Sequence, residues 1–212
     1  QVLIDAPADG TYTMHVGHTG TLTGGSQDFC LTISGAFDPN VVVGAGPQAA
    51  DGSPDSFLLS RTGDYLKVTV NGQSPEAIWI NAVQGITVNG STDQDEMQVQ
   101  YLGTGFSGSV VLNGQVASGD VAKIIDSPGN DSFTAYPTYA TLQIAGGYTV
   151  TANTFLYAHG YASQGGQDVA YLKDSVNNDT FEAYPTESRL WYDVPAGYGV
   201  RAKYFDYVHG YA

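Results

Sequence analysis

Short runs of alternating apolar and polar residues, bounded by Gly, Asn and Asp, recur along most of the chain. Gly10-Thr11-Tyr12-Thr13-Met14-His15-Val16 places Tyr12, Met14 and Val16 on one face, and Phe29-Cys30-Leu31-Thr32-Ile33 does the same with Phe29, Leu31 and Ile33. A period of two is that of a half-buried strand. Further runs lie at 41–43, 57–59, 66–70, 77–80, 86–88, 97–99 and 110–112. No window carries apolar residues at helical spacing between caps, so the pattern predicts an all-β chain. Asn71-Gly72, Asn89-Gly90 and Asn113-Gly114 follow three of the runs. Such pairs tolerate positive φ and suit either hairpins or the corners of stacked coils.

From residue 120 the chain is written twice. Asp120-Val121-Ala122, Asp126-Ser127, Asn130-Asp131-Ser132-Phe133 and Ala135-Tyr136-Pro137-Thr138 return 48 positions later as Asp168-Val169-Ala170, Asp174-Ser175, Asn178-Asp179-Thr180-Phe181 and Ala183-Tyr184-Pro185-Thr186. His159-Gly160-Tyr161-Ala162 returns at an offset of 50 as His209-Gly210-Tyr211-Ala212. A repeat of this length with strand-like alternation marks a unit that stacks on its own copy. The expected fold is therefore a right-handed parallel β-helix or solenoid, preceded by a short β-sandwich-like segment. Its divisions are 1–47 (sandwich-like strands and a Pro/Gly/Ala linker), 48–119 (irregular coils) and 120–212 (copies 120–167 and 168–212). The few strands of the first segment leave an apolar face and open edges, and the last coil carries no polar cap. Tyr12, Met14, Val16, Phe29, Leu31 and Ile33 are accordingly expected to meet Tyr207 and Tyr211 of another subunit in a head-to-tail assembly.

Composition narrows the setting. The 212 residues include 27 Gly and 15 Tyr but only 7 Lys+Arg, and the net charge is -14. So few cations cannot build a phosphate-neutralising stripe, which argues against nucleic acid and anionic membrane as partners. No apolar run approaches the roughly 20 residues needed to span a bilayer. The single cysteine, Cys30, excludes an internal disulfide and is expected as a reduced thiol opposite Phe29, Leu31 and Ile33. The Lys-poor, Gly/Thr/Tyr-rich balance favours an extracellular or cell-surface place. Starting at Gln1 without a leader, the chain reads as a processed or excised piece.

Candidate chemistry concentrates in the turns. Asp126, Asn130 and Asp131 match Asp174, Asn178 and Asp179, with Asp93 and Asp95 as a further set. Oxygen-rich turns of this kind suit calcium, which takes 6 to 8 oxygen ligands; the same residues alternatively make Asx-turns that satisfy their own backbone. Stacked coils could bring His159 and His209 to a shared transition metal, or the two could belong to a His/Tyr ladder. Glu182 and Glu187, with Asp174, form a conceivable carboxylate pair for glycan cleavage, against a plain solvated face. Tyr171, Trp191, Tyr192 and Tyr204 offer rings to a sugar. No catalytic constellation matches the repeat in strength, and the expectation is a non-enzymatic structural or adhesive module, with itself, neighbouring domains or a surface glycan as partner.

Three resemblances accompany these residues. Gly129-Asn130-Asp131-Ser132-Phe133 loosely resembles half of the nonapeptide of the calcium-binding parallel β-roll (RTX) family, whose glycine-rich half is missing here. The Asp-Ser-x-x-Asn-Asp-x-Phe-x-Ala-x-Pro-Thr pattern resembles tandem repeats of very large secreted proteins of planctomycete-type bacteria, and implies no enzymatic activity. Pro7-Ala8-Asp9-Gly10-Thr11-Tyr12, His18-Thr19-Gly20-Thr21-Leu22 and Gln27-Asp28-Phe29-Cys30-Leu31 resemble the end of the accessory domain in secreted subtilisin-like proteases. An accessory or glycan-active β-helix domain of a secreted enzyme is the rival expectation.

Overall fold

The computed structural model describes residue 24 and residues 39–45, 51–73, 77–115, 119–193 and 199–211. The chain divides into two compact units, Gln1–Phe37 and Asp38–Ala212. The expected sandwich-like segment, its six assembly residues from Tyr12 to Ile33 and Cys30 all lie outside the described residues. The division falls ahead of the boundary expected near residue 47, because residues 40–44 are a strand of the second unit.

In chain order the strands are β1 (Asn40–Gly44), β2 (Asp55–Thr62), β3 (Tyr65–Val70), β4 (Ile78–Trp79), β5 (Gly85–Asn89), β6 (Asp95–Val99), β7 (Ser109–Asn113), β8 (Val121–Ile125) and β9 (Ser132–Ala135). They continue as β10 (Tyr139–Gln143), β11 (Thr149–Asn153), β12 (Tyr157–Tyr161), β13 (Val169–Lys173), β14 (Thr180–Ala183), β15 (Glu187–Trp191), β16 (Gly199–Lys203) and β17 (Tyr207–Tyr211). Each of the six apolar runs after residue 55 became a strand. One 3-10 turn, Ile80–Ala82, interrupts them, and no helix among the described residues is long and apolar enough to cross a membrane.

Two large sheets result, one ordered β1-β5-β7-β11-β10-β9-β13-β17 and the other β14-β15-β16-β12-β8-β6-β2-β3-β4. Pairings between distant strands are parallel: β5 on β7, β7 on β11, β9 on β13, β8 on β12 and β12 on β16. Three meanders are antiparallel, namely β2-β3-β4, β9-β10-β11 and β14-β15-β16. The fold is thus all-β with two mixed sheets, where a wholly parallel β-helix was expected. The Tyr-Pro-Thr segment explains part of the difference. Tyr136 N–H donates to Tyr139 O and Tyr184 N–H to Glu187 O, both at 2.8 Å, closing turns too short for anything but an antiparallel return.

The two copies each supply five strands, one strand followed by a meander and a further strand, as β8–β12 and β13–β17. They occupy opposite sheets: the first meander lies in the eight-stranded sheet and the second in the nine-stranded one. Copy two nevertheless stacks on copy one, with β13 on β9 and β16 on β12.

Inward residues of both sheets form one apolar cluster. Large and small positions interlock: a Cβ on Gly160 would stand 2.8 Å from the Phe133 ring, so glycine there makes room for the phenylalanine of the facing sheet. Asn71 and Gly72, at φ 49° and 74°, form a two-residue hairpin turn closed by Val70 and Gln73. Asn89 and Asn113 serve differently. Asn113 Nδ2 donates to Asn89 Oδ1 at 2.8 Å and Asn153 Nδ2 to Asn113 Oδ1 at 3.1 Å, an amide ladder along parallel strand ends.

Candidate metal centre and the outer faces

A serine four residues ahead of an aspartate builds the same turn three times. The N–H of Ser91, Ser127 and Ser175 donates at 2.6 Å to Asp95, Asp131 and Asp179 respectively, and each serine hydroxyl donates to the same carboxylate. Each hydroxyl oxygen also accepts the N–H two residues on, from Asp93, Gly129 and Asn177. The carboxylates thus satisfy local backbone, but by accepting from four residues back and not as the Asx-turns weighed for them; the bond to the N–H two residues on is made by the serine.

In copy one the turn holds more than itself. Asp126 Oδ1 accepts the N–H groups of Ser163 at 2.9 Å and Gln164 at 3.0 Å, anchoring the corner after β12. Asp131 Oδ1 accepts Ala145 N–H at 2.6 Å, and Asp131 N–H donates to Asp168 Oδ1 at 2.7 Å. Asp168 N–H donates in turn to Asp206 Oδ2 at 2.8 Å. Carboxylates thus carry the hydrogen-bond ladder from one strand start to the next. Asp120 does the same for Asp95 N–H, at 2.9 Å.

This brings carboxylate oxygens of Asp126, Asp131 and Asp168 within 4.8 Å of one another, all three residues being buried. The cluster could hold a metal ion; its all-oxygen donors suit a hard cation and not zinc. Burial pushes the Asp168 carboxyl up to about 6, opposed by the Asp131 N–H and reinforced by the negative charges of Asp126, Asp131 and Asp206. Burial also raises Asp126, against the Ser163 and Gln164 N–H groups. Neutralisation by a proton or a cation would relieve the same repulsion.

The expected ligand set is only partly assembled. Asn130 Oδ1 accepts Gln167 N–H at 2.9 Å, and so is engaged elsewhere. Asp174 and Asp179 share a hydrogen bond, which raises the first and lowers the second. Their turn crosses from β13 in the eight-stranded sheet to β14 in the nine-stranded one, whereas the copy-one turn crosses the other way, from β8 to β9, so the two turns do not stack into one site as expected. Asp93 accepts Gly52 N–H and Asp95 lies in its own serine turn. Asp168 was missed as a member of this candidate cluster. Its signal was the Asp-Val-Ala repeat with Asp120, an aspartate just ahead of a strand in each copy.

The histidines do not meet. His159 stands on β12 in the nine-stranded sheet, between Lys123 and Arg201, while His209 stands on β17 in the other sheet, stacked on Tyr171 at 5.3 Å. This separation excludes a shared metal and equally a single His/Tyr ladder: each histidine sits among tyrosines of its own sheet, His159 beside Tyr157 and Tyr161 and His209 beside Tyr171 and Tyr211. Burial drives His159 down to about 4, assisted by Arg201, Lys203 and Lys123. Glu187 pairs with Arg189 and Lys203, and Glu182 accepts from Trp191 Nε1 at 3.2 Å, so these carboxylates are bound to cations and donors. Of the rings considered for sugar, Tyr192 is buried with its hydroxyl donating to Lys173 O, while Tyr171 and Trp191 lie on different sheets. Comparison with family models, curated proteins and solved structures finds no match to this chain.

Proposed function

We propose that the chain is a non-enzymatic extracellular structural or adhesive module that extends by stacking further units of its own repeat. In this reading the two sheets are the walls of a β-solenoid. The observation that carries it is the unequal burial of equivalent residues. Phe133 is 0 % exposed beneath copy two, whereas Phe181, at the same place in copy two, is 44 % exposed. Strands β14 and β17 are the outermost strands of their sheets, and Asp174, Asp179, Phe181, Leu190, Gly210 and Tyr211 line a shallow hollow between them. A unit made like copy two would pair in parallel with β14, as β13 pairs with β9, and with β17, as β16 pairs with β12. Main-chain hydrogen bonds and apolar burial then act together. Tyr207 and Tyr211, expected as assembly residues, lie on this edge strand and are exposed.

Calcium at Asp126, Asp131 and Asp168 would lock the junction between the copies, since those residues come from both. A melting temperature unchanged between chelator and excess calcium removes calcium from the reading. For stacking, native mass and negative-stain images decide. Ordered end-to-end polymers that Phe181→Lys abolishes are expected. A monomer at high concentration in both calcium and chelator, which also ignores an added single repeat unit, overturns the proposal.

A further inference from the structure

Only 7 residues of the chain are Lys or Arg, and four of them stand on the outer face of the nine-stranded sheet: Lys123 on β8, Arg201 and Lys203 on β16 and Arg189 on β15, with β12 lying between β8 and β16. Across β6, β8, β12, β16, β15 and β14 the register runs Gln98, Lys123, His159, Arg201, Arg189, Glu182. One row over it runs Ile125, Tyr161, Lys203, Glu187. On the other side stand Tyr157 and Trp191, with Gly199 between them; a Cβ on Gly199 would come within 2.5 Å of the indole, so the glycine lets the ring lie down on the sheet.

The repeat itself provides the control. Inward residues agree between the copies, with Leu142, Val150 and Ala152 answering Leu190, Val200 and Ala202. Outward ones do not: Thr134, Tyr139, Thr141, Gln143, Thr151 and Asn153 of copy one become Glu182, Glu187, Arg189, Trp191, Arg201 and Lys203 in copy two. The corresponding row on the other sheet reads Thr87, Val111, Thr151, Thr141, Thr134, Tyr171, His209, without a single Lys or Arg. The fold therefore does not require the charged set. Its cations are also incompletely neutralised. Lys123 pairs with Glu96 at 2.6 Å, and Arg189 and Lys203 share Glu187. Arg201 makes no direct ion pair among the described residues, although the Glu187 charge acts on it together with Arg189 and Lys203, and it sits 5.9 Å from the Trp191 ring. His159, held down first by burial, is lowered further by the charges of Arg201, Lys203 and Lys123.

We infer that this face binds an acidic oligosaccharide, its carboxylate or sulfate taken by Arg201 with Arg189 and Lys203, and its sugar rings lying against Trp191 and Tyr157. Arginine offers a planar fork that matches such anions two bonds at a time. Cations on neighbouring strands recur at about 4.8 Å, so Lys123 to Arg189 covers roughly 14 Å, the reach of a short oligomer. The acid must be short. A long polyanion would meet the remaining negative charge of the protein, and nucleic-acid binding needs more uncompensated cations than this face has. Strand addition of a peptide is closed here, because these four strands are paired on both sides, and the Trp191 and Tyr157 rings favour a sugar over an acidic peptide that would use the cations alone.

The inference is independent of stacking and is tested on the full chain by calorimetric titration with trigalacturonate, with maltotriose as the neutral trisaccharide. Trigalacturonate should bind, weaken as salt is raised, and exceed maltotriose by at least tenfold. Arg201→Thr, which installs the copy-one residue, should lower the affinity about tenfold with an unchanged melting temperature. Thr151→Arg on the opposite sheet should leave it unaltered. Equal binding of maltotriose, equal binding of a Glu-rich peptide, full affinity in Arg201→Thr with Arg189→Thr, or no binding of trigalacturonate or of a sulfated trisaccharide would each overturn it.

Discussion

Replacing Asp168 by asparagine separates the two ways in which the buried carboxylates can be tolerated. The amide oxygen keeps the acceptor for Asp131 N–H, now met at 2.7 Å, while the charge facing Asp126, Asp131 and Asp206 disappears. With the Asp168 carboxyl raised to about 6 against an ordinary value near 4, and about 1.4 kcal/mol per pH unit, the ionised form costs the fold about 3 kcal/mol at neutral pH. The sign follows from the raised folded-state value. The stability contributed by this group is complete below pH ~4 and is lost as pH rises through 6. Asp168→Asn in chelator at pH 7 should therefore be more stable than the parent, by up to about 3 kcal/mol, and equal to it near pH 4. Urea unfolding at both pH values measures this directly. If calcium sits in the cluster, added calcium should raise the parent and leave the variant unmoved. A variant less stable than the parent at pH 7 in chelator would refute the reasoning, because it would mean that the charge is satisfied by the protein itself.

The equivalent phenylalanines should respond unequally: Phe133→Ala costs about 3–5 kcal/mol by leaving a cavity, whereas Phe181→Ala, half exposed, costs under about 1 kcal/mol in the isolated chain, both read from urea midpoints. His159, held down to about 4, contributes stability that is present above its unfolded value near 6.5 and is lost as pH falls towards 4. This runs opposite to Asp168 over nearly the same range. His159→Gln should thus make stability increase from pH 7 to pH 4.5 relative to the parent, as followed by thermal melts at the two pH values, and an unchanged difference would sink the assignment.

Alternation in the sequence sufficed to find the strands, because the side-chain period of two is a local property that burial imposes on every half-buried strand. The 48-residue repeat likewise showed that Phe133 and Phe181, or Leu142 and Leu190, hold equivalent positions, but not that Phe133 is buried and Phe181 half exposed. Which sheet each strand joins was not written there. Alternation states that one face is buried but not against what, so the antiparallel return at Tyr136-Pro137-Thr138 and the exchange of sheets between copies emerge only when the core is filled. The same holds for the candidate sites. Asp126 and Asp131 are neighbours in sequence and were visible as a pair; Asp168 joins them only because β13 lies beside β9 and presents its leading aspartate to the Asp131 N–H. Lys123, Arg201 and Arg189 are scattered along the chain, and they become one surface only through the register of β8, β12, β16 and β15, since hydrogen-bonded sheets bring together residues that no spacing in the sequence relates.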